Sequence, residues 1–139
     1  MTTQKRWSYL SDLELKYGRD AIDKYEIIIK RRSDAKNIAE NYGLIIEDVK
    51  RAKNYAFASC AKYGFYPDVD IAEAWERLSL GQGNNIDKIL LMHEILESNL
   101  VISKGMAQVA AHKVAQKRYP WSERLMESRK KERRLKLDE

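Results

Sequence analysis

Apolar residues recur along this chain at intervals of three and four, and do not alternate with polar ones. One such stripe comprises Ile22, Tyr25, Ile28 and Ile29. That spacing places side chains on one face of an α-helix. Glycine and proline are scarce, with 6 and 2 residues among 139. The pattern therefore predicts an all-α fold, in the form of a compact domain of several helices.

Local signals place the ends of the predicted helices. Ser11 and Glu14 form a capping-box pattern at the start of a short helix that ends at Gly18. Ser33 and Asp70 are predicted N-caps of later helices. Periodic segments predict helices over about 19–31, 34–41, 46–61, 71–80, 86–103 and 106–118. Short turns predict a single domain over residues 1–121, and residues 122–139 are predicted to form a charged C-terminal helix or a frayed tail.

The predicted helices over 34–41 and 46–61, with Asn-Tyr-Gly between them, resemble a helix-turn-helix corner. The later helix carries Lys50, Arg51 and Lys53, which would contact nucleic acid if this corner bound DNA. Many domains without DNA-binding activity contain the same corner. DNA recognition at this corner is therefore one alternative and not the leading prediction.

Charge and cysteine content narrow the class of protein. The net charge is +5, and the segment from Arg118 onward is basic. A basic end favours nucleic acid or another polyanion, although a solvated helix has the same composition. No apolar run approaches the ~20 residues of a membrane span, so no membrane association is predicted. Cys60 is the only cysteine, which fits a reducing compartment. Trp7, in a polar leader, is expected to face a partner.

The two histidines of the chain supply its candidate chemistry. His93 and Glu97 are four residues apart and share a face of the helix over 86–103, and Glu94 follows His93 directly. His112 belongs to the next predicted helix. The apolar stripe of the first helix is expected to comprise Ile89, Met92, Leu96 and Leu100. His93 would then be partly buried at the edge of the core, with both glutamates toward the open side.

Three interpretations of these residues remain open. In the first, His93, Glu97 and His112 bind a divalent metal, most naturally zinc, and Glu94 is the general base. In the second, the two histidines act as general base and acid without a metal, which suits RNA cleavage. In the third, the residues form a hydrogen-bonded pair and a helix contact with no chemical role. For either chemistry, the candidate phosphate contacts are Lys113, Lys117 and Arg118.

Several short blocks of the sequence are specific when taken together. They are His93-Glu94, Glu97-Ser98, Ala111-His112 and Tyr119-Pro120-Trp121, preceded by residues 38–44, 48–53 and 67–78. The stretch over 39–121 resembles a small helical domain found at the C-termini of bacterial polymorphic toxins and of phage head-morphogenesis proteins. The resemblance implies an effector-like domain of bacteria or phages, with His93, Glu94, Glu97 and His112 at its site.

The chain departs from the resembling domains at two positions. A histidine is common there at the position of Tyr55, and a polar helix cap at the position of Ile45. If that histidine takes part in catalysis, this protein would be weakened or inactive. The chain begins with its own methionine and carries no delivery module, which predicts a stand-alone phage or prophage protein, cytoplasmic or associated with the virion.

The leading prediction is a protein that acts on nucleic acid, by cleaving RNA or another phosphodiester substrate with the His/Glu site. One alternative is a zinc-dependent hydrolase of the peptidase type that uses the same four residues. The other is a non-catalytic phage protein that binds DNA through the Lys50-Arg51-Lys53 helix, or binds a protein partner through the basic tail.

Overall fold

The structure, a computed structural model, describes residues 5–138 and is all-α, as the apolar spacing predicts. No strand forms within that range. The helices run Asp12–Tyr17 (α1), Arg19–Lys30 (α2), Asp34–Tyr42 (α3), Ile46–Lys53 (α4), Cys60–Tyr63 (α5), Val69–Ser79 (α6), Asn85–Ser98 (α7), Gln108–Arg118 (α8) and Trp121–Asp138 (α9). No helix in the described range is long and apolar enough to cross a bilayer.

The structure tests the N-caps that the sequence predicts for three helices. The Ser11–Glu14 capping box is formed in both directions at the start of α1. Ser33 occupies the predicted N-cap position of α3, but its side chain makes no capping hydrogen bond, and the Asp34 carboxylate accepts from the backbone of Ala35. The prediction for Asp70 is wrong. Asp68 caps α6 two residues earlier and accepts from the Asp70 N–H at 2.8 Å.

The predicted helix over 46–61 divides into three parts. After α4 the chain widens into a π-helical turn over Asn54–Ala58, which breaks at Ser59 before the short helix α5. A second π-helical turn over Asn99–Ser103 extends α7. Wide turns of this kind often mark functional positions, because they re-aim side chains that a regular helix would place elsewhere. The predicted corner between α3 and α4 is present, and Gly43 adopts a left-handed conformation (φ 64°) at its turn.

A row of aromatic rings joins the N-terminal half of the core. Trp7 packs on Tyr25 with centroids 5.9 Å apart, Tyr25 on Phe57 at 4.7 Å, and Phe57 on Trp75 at 5.3 Å, all edge to face. Such pairs stabilise by about 0.5–1.5 kcal/mol each beyond burial. The expectation that Trp7 faces a partner is wrong, since only 1% of it is exposed. Its indole body completes the core beside Tyr25.

Helix α7 occupies the centre of the molecule and contacts α4, α6, α8 and α9. The predicted stripe of Ile89, Met92, Leu96 and Leu100 is only half-buried. The fully buried positions are Asp87, Leu90, Leu91, His93, Glu97 and Ser98. Because neighbours surround this helix, its polar residues also face protein, and apolar spacing alone does not identify its inner side.

The basic C-terminal segment is a helix that packs only at its start. Trp121, Leu125 and Ser128 are half-buried on the face of α9 toward the domain, and Arg129 donates to Asp70 at 2.6 Å. Residues 130–137 are exposed. The helix therefore begins within the domain, one residue before the predicted boundary at 122, and extends beyond it.

Candidate functional site

The candidate site lies where α7, α8 and the π-helical turn over Asn54–Ala58 meet. Helix α7 contributes His93, Glu94 and Glu97, α8 contributes His112, and the π-helical turn contributes Tyr55. The imidazole rings of the two histidines lie 5.2 Å apart, centroid to centroid, at 62°. The fold thus brings together all four residues that the sequence indicated, and adds a tyrosine.

The Glu97 carboxylate is the centre of this cluster. Its Oε1 lies 3.0 Å from His93 Nε2 and 2.8 Å from His112 Nδ1, while its Oε2 accepts a short hydrogen bond from the Tyr55 hydroxyl. Glu97 is 3% exposed, so the expectation that it faces the open side is wrong. A buried carboxylate needs such partners, because burial without them costs several kcal/mol.

His93 is oriented by a backbone carbonyl. Its Nδ1 lies 3.0 Å from the carbonyl oxygen of Tyr119, which can only accept, so Nδ1 carries the proton. Nε2 is left facing Glu97. Tyr119 is available because α8 ends at Arg118, before Pro120, and the chain turns there toward α7. The Tyr119-Pro120-Trp121 block therefore fixes the tautomer of His93.

The charges of this cluster favour a cation at His93. Burial alone would lower the pKa of His93, but the hydrogen bond to Glu97 and the nearby Glu94 raise it above its usual value. Burial would raise the pKa of Glu97, yet hydrogen bonds from His93, Tyr55 and His112 hold it below its usual range. With Nδ1 committed to a carbonyl, Nε2 needs either a proton or a metal ion between it and Glu97.

Tyr55 was not identified from the sequence as a member of the site. It is fully buried, and burial together with the Glu97 carboxylate raises its pKa, so the phenol stays protonated and donates. Forty-two positions separate Tyr55 from Glu97. The only signal was the departure from a histidine at this position. The tyrosine supports the carboxylate of the cluster and so takes part in the site.

Glu94 is the free carboxylate of the site. Burial raises the pKa of Glu94 to about 7, with His93 lowering it and Glu97 raising it. Within the described residues, no hydrogen bond ties its carboxylate to another protein group. A carboxylate that titrates near neutral pH and is not committed elsewhere has the properties of a general base.

Glu94 opens onto a cavity of about 380 Å³ at the surface of the cluster. The two histidines and Glu97 form one wall of the cavity. Aromatic rings form much of the rest, and they are Tyr25, Phe65, Tyr66 and Trp121. His112 is half-exposed at the cavity, with 52% of its side chain accessible, while His93 lies beneath it. The cavity volume is in the range of small-molecule or single-residue binding sites.

The predicted basic residues divide into two groups. Lys113 and Lys117 border a shallow depression that adjoins the cavity through His112 and Gln116, and Arg118 is exposed at the end of α8. Arg118 lines a separate groove together with Arg51, so of these three residues Lys113 and Lys117 alone border the site.

The three predicted contacts on α4 do not join that group. Arg51 donates to Ser98 and to the carbonyl of Ile95, which makes it a link between α4 and α7. Lys53 is paired with Asp34, and Lys50 is exposed. Neither Lys50 nor Lys53 lines the cavity of the His/Glu cluster.

His93, Glu97 and His112 are able to hold a metal ion. Each offers one ligand atom, and the three atoms lie within 4.8 Å of one another. Two imidazoles and one carboxylate are a common donor set for zinc in hydrolytic sites. The hydrogen bonds from His93 to Tyr119 and from Tyr55 to Glu97 are the outer contacts that such ligands usually have.

Comparison with known protein families, with curated proteins and with solved structures finds no match to this chain. The resemblance to polymorphic-toxin and phage domains therefore stays a prediction.

Proposed function

We propose that this protein is a metal-dependent hydrolase that cleaves phosphodiester bonds in nucleic acid. The observation that carries the proposal is the convergence of His93 Nε2, Glu97 Oε1 and His112 Nδ1 at the wall of a cavity. A divalent ion there would lower the pKa of a bound water, and Glu94 would take up the proton. Because 52% of the His112 side chain is exposed, a substrate would reach the bound ion from the solvent side.

Orientation of the ligands supports metal binding over acid–base catalysis by histidine alone. An acid–base pair needs two imidazoles that reach opposite sides of the reacting group. Here both imidazoles point at one carboxylate oxygen, 3.0 and 2.8 Å away. Moreover, His93 is buried beneath His112 and has 5% of its side chain exposed. A metal ion requires ligand atoms that point at one place, as these two imidazole nitrogens and the Glu97 oxygen do. A metal-free mechanism has no need of that arrangement.

Charge around the site supports nucleic acid as the substrate. Lys113 and Lys117 lie beside His112, and Arg118 closes the same helix. The net charge of the chain is +5, and α9 extends from this face of the domain with further basic residues. Ammonium and guanidinium groups near the metal would hold the phosphates that flank the cleaved bond.

Peptide hydrolysis is a second candidate, supported by the cavity lining itself. The lining includes Asp68, Glu94 and Glu97 but no lysine or arginine from the described chain. A polar wall of that composition suits a neutral or cationic chain better than a phosphate, unless the metal supplies the positive charge. The substrate assay therefore includes an unfolded protein.

The test is hydrolysis by the purified protein loaded with zinc or manganese, offered bulk RNA, single-stranded DNA, duplex DNA and unfolded casein, with and without EDTA. We expect nucleic acid to be degraded, EDTA to stop the reaction, and His93→Ala and His112→Ala each to abolish it. Val109→Ala is the matched control, since Val109 is exposed on α8 and does not line the cavity. Helical circular dichroism verifies that each variant is folded.

The other outcomes identify the alternatives. Cleavage that is indifferent to EDTA would favour histidine acid–base chemistry. Degradation of casein alone would favour the peptidase. If no substrate is cleaved, the hydrolase proposal fails and a non-catalytic binding protein takes its place.

A further inference from the structure

A second cavity, of about 300 Å³, lies beside the π-helical turn and shares no lining residue with the first. Four cationic side chains line this basic cavity, and they are Arg31, Arg32, Lys50 and Lys53. Part of its lining is apolar and includes the buried ring of Phe57. Four positive groups around one open cavity repel each other unless carboxylates or a bound anion compensate them.

Two of the four cations are held in place by protein carboxylates. The Lys53 ammonium donates to Asp34 Oδ1 at 2.7 Å and to the Arg31 carbonyl at 2.8 Å. The Arg31 guanidinium donates to Glu76. Asp34 is 2% exposed and also accepts from Trp75 Nε1 at 2.9 Å, so its position is fixed by the core. Part of this cavity is thus ordered before any ligand binds, which reduces the entropic cost of binding.

The other two cations have no carboxylate partner. Within the described range, neither Arg32 nor Lys50 forms an ion pair, and both are exposed. Counting Asp34 and Glu76 against the four basic residues leaves an excess of two positive charges at the basic cavity. The charge of the basic cavity is thus opposite in sign to that of the main cavity, whose lining carries carboxylates and no lysine or arginine.

We infer that the basic cavity is a phosphate-binding site, separate from the His/Glu cluster. Guanidinium and ammonium groups are the side chains that bind phosphate oxygens most strongly, and the excess of two positive charges matches one terminal phosphate group or two phosphodiesters of a nucleic-acid backbone. The phosphate belongs either to a free phosphorylated ligand or to a nucleic-acid backbone, both of which present anionic phosphate oxygens. The inference does not rest on the proposed hydrolysis, because no residue of the basic cavity belongs to the cluster.

The test is binding by the full chain, free of added metal, of two probes: inorganic pyrophosphate and a short thymidine oligonucleotide. The variant is the double substitution Arg32→Ala with Lys50→Ala, which removes the two unpaired cations and leaves the ion pairs of Arg31 and Lys53 intact. The control is Lys16→Ala with Lys36→Ala, which removes the same charge from exposed positions outside the cavity.

We expect the double variant to weaken binding about tenfold or more, and to reduce the slope of log affinity on log salt by about one or two for the oligonucleotide. The control should bind as the unchanged protein does. Pyrophosphate binding that the double variant loses identifies a free phosphorylated ligand. Oligonucleotide binding alone, lost in the same way, identifies backbone phosphates. Equal binding by both double variants, or binding of neither probe, overturns the inference.

Discussion

At the scale of single residues, the cluster depends on how Glu97 is satisfied. Three side chains donate to one buried carboxylate, and one of them, Tyr55, comes from a distant part of the chain. The tyrosine holds Oε2 and leaves Oε1 to the histidines. Tyr55 therefore has a clear position in this site.

Replacing Tyr55 with phenylalanine should test that role. The change leaves Glu97 Oε2 without a donor, so we expect the free energy of unfolding to fall by about 1–3 kcal/mol. Loss of an outer contact of a metal ligand should also weaken zinc binding roughly tenfold. Urea unfolding and zinc titration measure the two effects. Tyr63→Phe is the control, because the Tyr63 ring packs against Tyr55, with centroids 5.1 Å apart, but its hydroxyl makes no hydrogen bond within the described structure. Similar losses in both variants would contradict the assignment.

Cys60 illustrates a residue that is buried without a chemical role. Burial, and secondly the charge of Glu94, raise the pKa of the Cys60 thiol to about 12. Because the thiolate is the reactive form, the folded protein should resist iodoacetamide at pH 8, while the unfolded chain is modified readily. Mass spectrometry with and without urea measures this difference. Rapid modification of the native protein would show that the thiol is accessible.

At the scale of helices, short-range signals were sufficient for some features and not for others. The Ser11–Glu14 box and the pairing of His93 with Glu97 follow from spacings of three and four, which the helix itself determines. The inward side of α7 could not be predicted, because its buried face includes Asp87 and Glu97. Those side chains are stabilised by partners from elsewhere in the chain: Arg77 donates to Asp87 through two nitrogens, at 2.7 and 2.9 Å.

Asp34 connects three helices and was predicted only as the first residue of α3. It accepts from Lys53 on α4, from Trp75 on α6 and from the backbone of Ala35. Asp34→Ala should therefore leave the Lys53 ammonium without its carboxylate and the Trp75 indole N–H without a partner, and lower the free energy of unfolding by about 3–5 kcal/mol. Asp23→Ala, at an exposed position of α2, should have little effect. Urea unfolding of the two variants gives the comparison, and a loss below ~1 kcal/mol at Asp34 would contradict this role.

At the scale of the whole molecule, the packed part of the structure ends within α9. Helix α9 contacts α7 near its start, and its later turns are exposed. The sequence predicted the charge of this segment, and its separation from a domain over residues 1–121 stays a prediction. A charged helix over 122–139 was one of two predicted alternatives, the other being a frayed tail. The contact of Arg129 with Asp70 was not predicted, because it spans 59 positions.

Ending the chain after Lys131 should leave the domain as stable as before, within about 0.5 kcal/mol, because residues 132–137 of the removed segment are exposed. Leu125→Ala, by contrast, removes a half-buried contact of α9 and should lower the free energy of unfolding by about 1 kcal/mol. Thermal unfolding followed by circular dichroism at 222 nm, the ordinary helix band, measures both. A large loss on truncation would mean that the end of α9 packs on the domain.

The π-helical turn over Asn54–Ala58 is a common wall of the two cavities. Its Ala56 lines the first and its Phe57 the second, while Tyr55 between them donates to Glu97. If ligands in the two cavities both displace this turn, their binding is thermodynamically linked, and linkage is reciprocal. Any factor by which pyrophosphate changes the affinity for zinc must equal the factor by which zinc changes the affinity for pyrophosphate. Through this single turn of helix, the occupancy of each cavity would then depend on the concentration of the other cavity's ligand.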